Sequence, residues 1–257
     1  MPTVDEILTA GRKTLREVEA QLVAQIKEDR SRKRGHLNRQ LHEVRRALDP
    51  TRYPFHSQAG QDMTVDQILG RKRGGTFVDV GGYDGLTGSN SLFFEHWRGW
   101  TGVLVEPVPA QLERAQAVRS CPCLGLAVAA TDGQADFIEI TEGYTQMSGL
   151  AGSYEPGLLG QVRGDPRHKE VTLRVETRTL SRILTDTGLP HPDFVSLDIE
   201  GGEIATLSAF PFADHDVKVW SIENNTGGPE IGEIMKAQGY ILAEFCGPDE
   251  IWRKADL

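Results

Sequence analysis

The chain has 257 residues, 39% of them hydrophobic and 25% charged, which suits a soluble protein with one sizeable α/β domain and an appendage. No apolar run approaches bilayer length, and Met1-Pro2-Thr3-Val4-Asp5-Glu6 lacks the basic-then-apolar form of a secretory leader, so a cytoplasmic location and no membrane partner are expected. The net charge of −9 is uneven: residues 1–50 hold 11 Lys/Arg against 8 Asp/Glu and the remainder 17 against 29, and so acidic a body argues against a nucleic-acid partner.

Residues 1–50 read as a helical extension. Leu8, Leu15, Val18, Leu22 and Ile26 recur at helical spacing within 3–29. A charged break with Arg30, Arg32, Lys33 and Arg34 follows, expected as a solvated face. A second stripe, Leu37, Leu41, Val44 and Leu48, stops at Asp49-Pro50. Stripes this narrow must lie on each other, on the body or on a second chain. A homodimer through these helices is expected, because symmetric dimers are the commonest oligomers.

Residues 51–257 alternate between strand and helix. A short helix at 63–69 ends in Gly70–Gly75, and strands are expected at 76–81, 102–106 and 124–129, with helices at 91–97 and 109–120 between them. The alternation then breaks. Half-buried strands at 135–140 and 171–176 flank about thirty residues rich in Gly, Pro and polar groups. This insertion, about 133–176, contains Tyr144, Met147, Ser148, Tyr154 and His168 and is expected to cover a ligand. Strands at 193–198 and 217–223 follow, with helices at 180–187, 203–210 and 229–238, then an antiparallel pair at 240–245 and 250–253. Cys121-Pro122-Cys123 is too tight for a usual C-x-x-C site, so the three cysteines read as reduced thiols.

The chemistry concentrates at Thr76-Phe77-Val78-Asp79-Val80-Gly81-Gly82-Tyr83-Asp84-Gly85. This is a buried strand stopping in a tight turn, where Gly81, Gly82 and Gly85 let a ligand approach the backbone. Tyr83 occupies a position where the dinucleotide fingerprint needs glycine, which disfavours an NAD-dependent sugar enzyme. A second apolar run, Gly102 to Val105, ends in Glu106, and an acid there reaches ribose hydroxyls. The pair suggests a nucleoside-containing cofactor.

Asp79-Val-Gly-Gly-Tyr-Asp-Gly, Ser89-Asn90, Leu104-Val-Glu-Pro and Ser196-Leu-Asp-Ile-Glu-Gly-Gly-Glu203 together resemble the FkbM family of S-adenosylmethionine-dependent methyltransferases. Ser57-Gln58-Ala59-Gly60-Gln61-Asp62 is similar to a segment that precedes the first strand in many members. The resemblance covers roughly residues 55–245. It implies a Rossmann-like methyltransferase fold with a mostly parallel seven-stranded sheet, and O-methylation of a sugar or natural product. Gln58 and Asn90 join the expected cofactor set on the same ground. Asp79 or Asp84 is expected to meet the cofactor's ammonium group.

Asp198 and Glu200 at one strand tip, and Glu223, Asn224 and Asn225 at the next, bring hard oxygen ligands together. Asp198, Glu223 and Asn224 are similar to the Asp, Asp, Asn set of catechol-type O-methyltransferases, with Glu223 in place of an Asp, and suit Mg²⁺. Without metal, Asp198 and Glu200 position the cofactor or act as a general base, with His168 as a further candidate base. The alternatives are N-methylation and a non-catalytic cofactor-binding partner subunit. The acceptor itself is not legible.

Overall fold

The computed structural model describes residues 1–154 and 156–257. Its main sheet has seven strands: β1 (Thr76–Val80), β2 (Thr101–Val105), β3 (Cys123–Leu124), β8 (Phe194–Leu197), β9 (Val219–Glu223), β10 (Tyr240–Cys246) and β11 (Asp249–Lys254). They lie in the order β10-β11-β9-β8-β1-β2-β3. The five from β9 to β3 run parallel, and β11 is antiparallel to both β9 and β10. This is the Rossmann-like methyltransferase arrangement the sequence led us to expect.

The central strands are continuous apolar runs because both their faces are covered. Phe77 and Phe194 face one layer, with Phe93, Phe94 and Trp100. Val78, Val80, Val195 and Leu197 face the other, with Trp220, Ile183 and Leu184. Each such side chain is worth roughly 1.5–3 kcal/mol when buried. Residues 94–98, overlapping the end of the expected 91–97 helix, form a widened turn that Gly99 ends at φ +66.

Near the third strand the chain changes sheets. The expected 124–129 strand divides into β3 in the main sheet and β4 (Ala127–Val128) in a second one. That four-stranded sheet, β4-β7-β5-β6, also contains β5 (Gly133–Glu142), β6 (Gly149–Leu150) and β7 (Lys169–Arg178). The insertion is therefore ordered structure rather than a long loop. Phe137 and Val175 pack on Val108 and Ala127. Ile138 and Ile140 pack on Tyr154 and on Val162 of the helix Pro156–Arg163.

The N-terminal helices α1 (Val4–Glu28) and α2 (Lys33–Leu48) form a hairpin, and a Thr3–Glu6 capping box starts α1. The second helix docks on β10. Arg34 pairs with Glu244 and Arg32 with Glu250, and Arg32 also donates to the Asn224 and Pro248 carbonyls at 3.0 and 3.1 Å. The Asn38 side chain donates to the Phe245 carbonyl at 2.8 Å. A Cβ on Gly35 would stand 2.1 Å from the Gly247 carbonyl oxygen, so only glycine permits this approach. The basic cluster is thus a solvated face only in part: Arg30 and Lys33 are exposed, while Arg32 and Arg34 fasten the hairpin to the body. No helix among the described residues is long and apolar enough to cross a membrane.

Candidate active site

The carboxyl ends of β1, β2, β8 and β9 point the same way, and ligands sit beyond such ends in open α/β sheets. After β1 the chain turns sharply, with Gly81 at φ +80 and Tyr83 at φ +49. The Gly81 and Gly82 amides both donate to the Val105 carbonyl, at 3.0 and 3.2 Å, which locks the turn to β2. A Cβ on Gly81 would stand 1.7 Å from the Asp198 carbonyl oxygen, and one on Gly82 2.4 Å from Leu104 Cγ.

Glu106 is buried at the end of β2 and oriented by two backbone donors. The Tyr83 amide donates to Oε2 at 3.0 Å and the Val108 amide to Oε1 at 2.8 Å. Burial pushes its carboxyl up to about 7. Asp79 accepts from Ser91 Oγ at 2.5 Å and lies 3.8 Å from the guanidinium of Arg119, which is buried and shared with Glu95.

These groups open into a cavity of about 290 Å³. Gln58, Asp79, Gly81, Gly82, Asn90, Glu106, Asp198, Glu200 and Glu223 all line it. The insertion supplies part of the wall through Phe137, Met147 and Ser148, and Tyr83 Oη meets Thr145 Oγ1 across the opening at 2.8 Å. Two buried oxygens on this wall, Asn90 Oδ1 and Glu223 Oε2, have no hydrogen-bond partner among the described residues. Buried polar atoms of that kind are open to a partner, from a ligand or an ordered water.

At one end lie Asp198, Glu200 and Glu223, with carboxylate oxygens within 4.8 Å of one another. The loop that carries the first two is held by Glu203, which accepts from the Ile199 and Gly201 amides at 2.8 and 3.0 Å. Glu200 has φ +57, a strained value for a side chain of this kind, and strain is often retained where a group must be aimed. Asn225 Nδ2 donates to Glu200 Oε2 at 3.1 Å. Burial, then the Asp249 charge, pushes Asp198 up to about 8. Burial and Asp198 push Glu200 up to about 9. Burial, Asp198 and Glu200 raise Glu223 as well. The three acids therefore share protons near neutral pH.

Four expected residues lie off this wall. Asp84 accepts from the Leu86 and Thr87 amides and staples its own loop. Gly85 packs on Ala115 and Arg119 beneath the turn. His168 Nε2 is 2.9 Å from Glu170 Oε2, on the far part of the insertion. Asn224 turns away: its Oδ1 accepts from Gly227 and its Nδ2 donates to Gly228 and Glu250. The carboxylate group is thus Asp198, Glu200 and Glu223, not the expected Asp198, Glu223 and Asn224. Sequence reasoning missed Asp249 and Arg39 on the wall. Asp249 follows a hairpin turn that carries no motif, and Arg39 lies in the extension.

Residues 79–242 match the model of the methyltransferase FkbM domain. Among solved structures, the chain is similar to a methyltransferase FkbM from Methylobacillus flagellatus, at 13% identity and TM-score 0.45, over 84% of this chain and 54% of that one. It thus spans about half the length of that protein. It is also similar to a precorrin-6y C5,15-methyltransferase from Geobacter metallireducens, at 12% identity and TM-score 0.40, over 79% of this chain and 90% of that one. A TehB-like SAM-dependent methyltransferase from Corynebacterium glutamicum matches at 11% identity and TM-score 0.39, over 82% and 95%. No curated protein matches in sequence.

The raised acids set a pH dependence. In the folded protein they keep protons that an unfolded chain loses near pH 4, so their contribution is complete below about pH 4 and is lost as pH rises towards about 9. Thermal unfolding of the parent should therefore show Tm falling from about pH 5 to about pH 9, with a shallower fall in Glu223→Gln. Identical slopes would contradict the shared-proton cluster.

Proposed function

This chain belongs to the FkbM methyltransferase family, and we propose that it is an S-adenosylmethionine-dependent enzyme that methylates a hydroxyl oxygen of a sugar or natural-product small molecule. The observation that carries this reading is one cavity with Glu106 on its wall and a proton-sharing carboxyl cluster at one end. When bound, the cofactor supplies a methyl group on an electrophilic sulfonium. Glu106, already oriented by the Tyr83 and Val108 amides, has lone pairs left for two ribose hydroxyls. The glycine turn lets the cofactor lie against backbone, and the unpartnered Asn90 oxygen offers an acceptor beside it.

An acceptor hydroxyl must lose its proton as its oxygen takes the methyl group. Because the cluster ionises stepwise, a singly ionised form has one carboxylate to receive that proton. Glu200, with its constrained backbone, is the residue we assign to this step, in the form of the cluster where it carries the charge and Asp198 and Glu223 keep their protons. So acidic a cavity would hold an amine acceptor as ammonium, without a lone pair, which favours oxygen over nitrogen. The three free cysteines support a reducing, cytoplasmic setting.

A divalent cation such as Mg²⁺ fits the same three acids, replacing their protons and supplying Lewis acidity towards an acceptor oxygen. If it binds there, Mg²⁺ raises the Tm of the parent and not of Glu223→Gln. No shift in either protein leaves the proton-sharing acids as the base.

The first three turns of α1 are exposed, and Val4, Leu8, Gly11, Leu15, Val18 and Leu22 form a regular four-three stripe. We propose that two copies pair antiparallel along it. Leu8 opposite Gly11 and Val4 opposite Leu15 would set Asp5 of each copy near Arg12 of the other. Light scattering should then give a dimer for the full chain and a monomer for Leu8→Glu. A monomeric parent, or a dimeric Leu8→Glu, contradicts the pairing.

The cofactor assignment is checked by calorimetry. Glu106→Ala should weaken S-adenosylhomocysteine binding about tenfold or more, because charge-assisted bonds are worth roughly 1.5–3 kcal/mol each. Glu200→Gln should bind it as the parent does, while methyl transfer to a panel of polyols, read by mass, falls about a hundredfold or more. Unchanged affinity in a folded Glu106→Ala protein contradicts the ribose role.

A further inference from the structure

The cavity wall is strongly acidic, with Asp79, Glu106, Asp198, Glu200, Glu223 and Asp249 on it. Among the described residues, the one cationic side chain on that wall is Arg39. It comes from α2, outside the segment matched by the family domain. We propose that Arg39 is the anion receptor of this cavity. It takes the carboxylate, or a chemically similar anion, of a molecule bound there, which makes the N-terminal hairpin part of the site. This rests on the cofactor reading above.

The other arginines of α2 and its start are committed to structure. Arg32 and Arg34 clamp the strand hairpin β10–β11, Arg45 pairs with Glu19 at 2.8 Å, and Arg46 meets His42 at 2.7 Å and the Phe55 and Ser57 carbonyls. Among the described residues Arg39 pairs only with Glu43, one turn along the same helix at 3.4 Å, with both side chains more than half exposed. An ion pair in that setting is weak and readily exchanged for a ligand.

Its position is fixed from both sides. Four residues before it, Gly35 abuts Gly247, while three residues after it His42 packs beside Gly60. Arg39 is therefore held between the β10–β11 turn and the Gln58–Gly60 segment, both of which reach the cavity through Gly247, Gln58 and Ala59. The ionised acids on this wall repel an anionic ligand group and the protonated ones bring no positive charge to it, so a ligand that carries one is best met by a cation, and a guanidinium binds carboxylate through paired donors. The anion has two possible sources, the cofactor's amino-acid carboxylate or an acidic group on the acceptor.

Calorimetry on the full-length parent, Arg39→Gln and Arg39→Lys separates them. The probes are S-adenosylhomocysteine, 5′-methylthioadenosine, which lacks the amino-acid group, and inorganic phosphate added to protein saturated with S-adenosylhomocysteine. If the cofactor is the source, Arg39→Gln weakens S-adenosylhomocysteine about tenfold and leaves 5′-methylthioadenosine unchanged, and Arg39→Lys restores part of the loss. If the acceptor is the source, both nucleosides bind as in the parent, and phosphate binding to the saturated protein is lost in Arg39→Gln. Equal binding of all three probes to parent and Arg39→Gln overturns the proposal. A parent that binds neither nucleoside contradicts the cofactor reading itself.

Discussion

Gly81 has no room for a side chain, because a Cβ there would stand 1.7 Å from the Asp198 carbonyl oxygen. That contact joins the turn after β1 to the loop after β8, and the rest of the site depends on it. The same turn is tied to β2 through the Val105 carbonyl, and its Tyr83 amide aims Glu106. Three strand ends are thereby held as one unit. A side chain at position 81 would push the acid-bearing loop away from the turn and separate the groups the chemistry needs together.

The second constraint is electrostatic. A carboxylate taken out of water must find a cation, hydrogen-bond donors or a proton. Asp79 has Arg119 and Ser91, and Glu106 has two backbone amides. Asp198, Glu200 and Glu223 have few donors and, among the described residues, no cation, so they retain protons. The burial that makes the cluster costly to ionise also makes it responsive, since a proton from a bound hydroxyl or a divalent cation changes its charge at little structural cost. The insertion lines part of this region, and α2 reaches it through Arg39.

Much of this was legible in the sequence where the signal is local. Continuous Val, Leu and Phe runs marked the central strands because both faces are buried, and strand-end acids marked Glu106, Asp198, Glu200 and Glu223. The failures are long-range or finer than one residue. The partners of Arg32 and Arg34 lie 218 and 210 residues away, so the charged run looked like a solvated surface. The two-residue strands β4 and β6 carry no period that could announce them. At the tip of β9, strand direction could not say that Asn224 turns away from the cavity, to Gly228 and Glu250. Arg39 gave no sign at all, because a helical stripe shows which face is apolar and not what the other face overlooks.

The account stands on one cavity holding a nucleoside at Glu106 and presenting its reacting end to the carboxyl cluster. A crystal structure with S-adenosylhomocysteine bound tests that most directly. The account predicts both ribose hydroxyls on the Glu106 carboxylate and the sulfur facing Asp198 and Glu200 across a gap that fits one hydroxyl. A ribose bound away from Glu106, or a sulfur turned from the cluster, would contradict it.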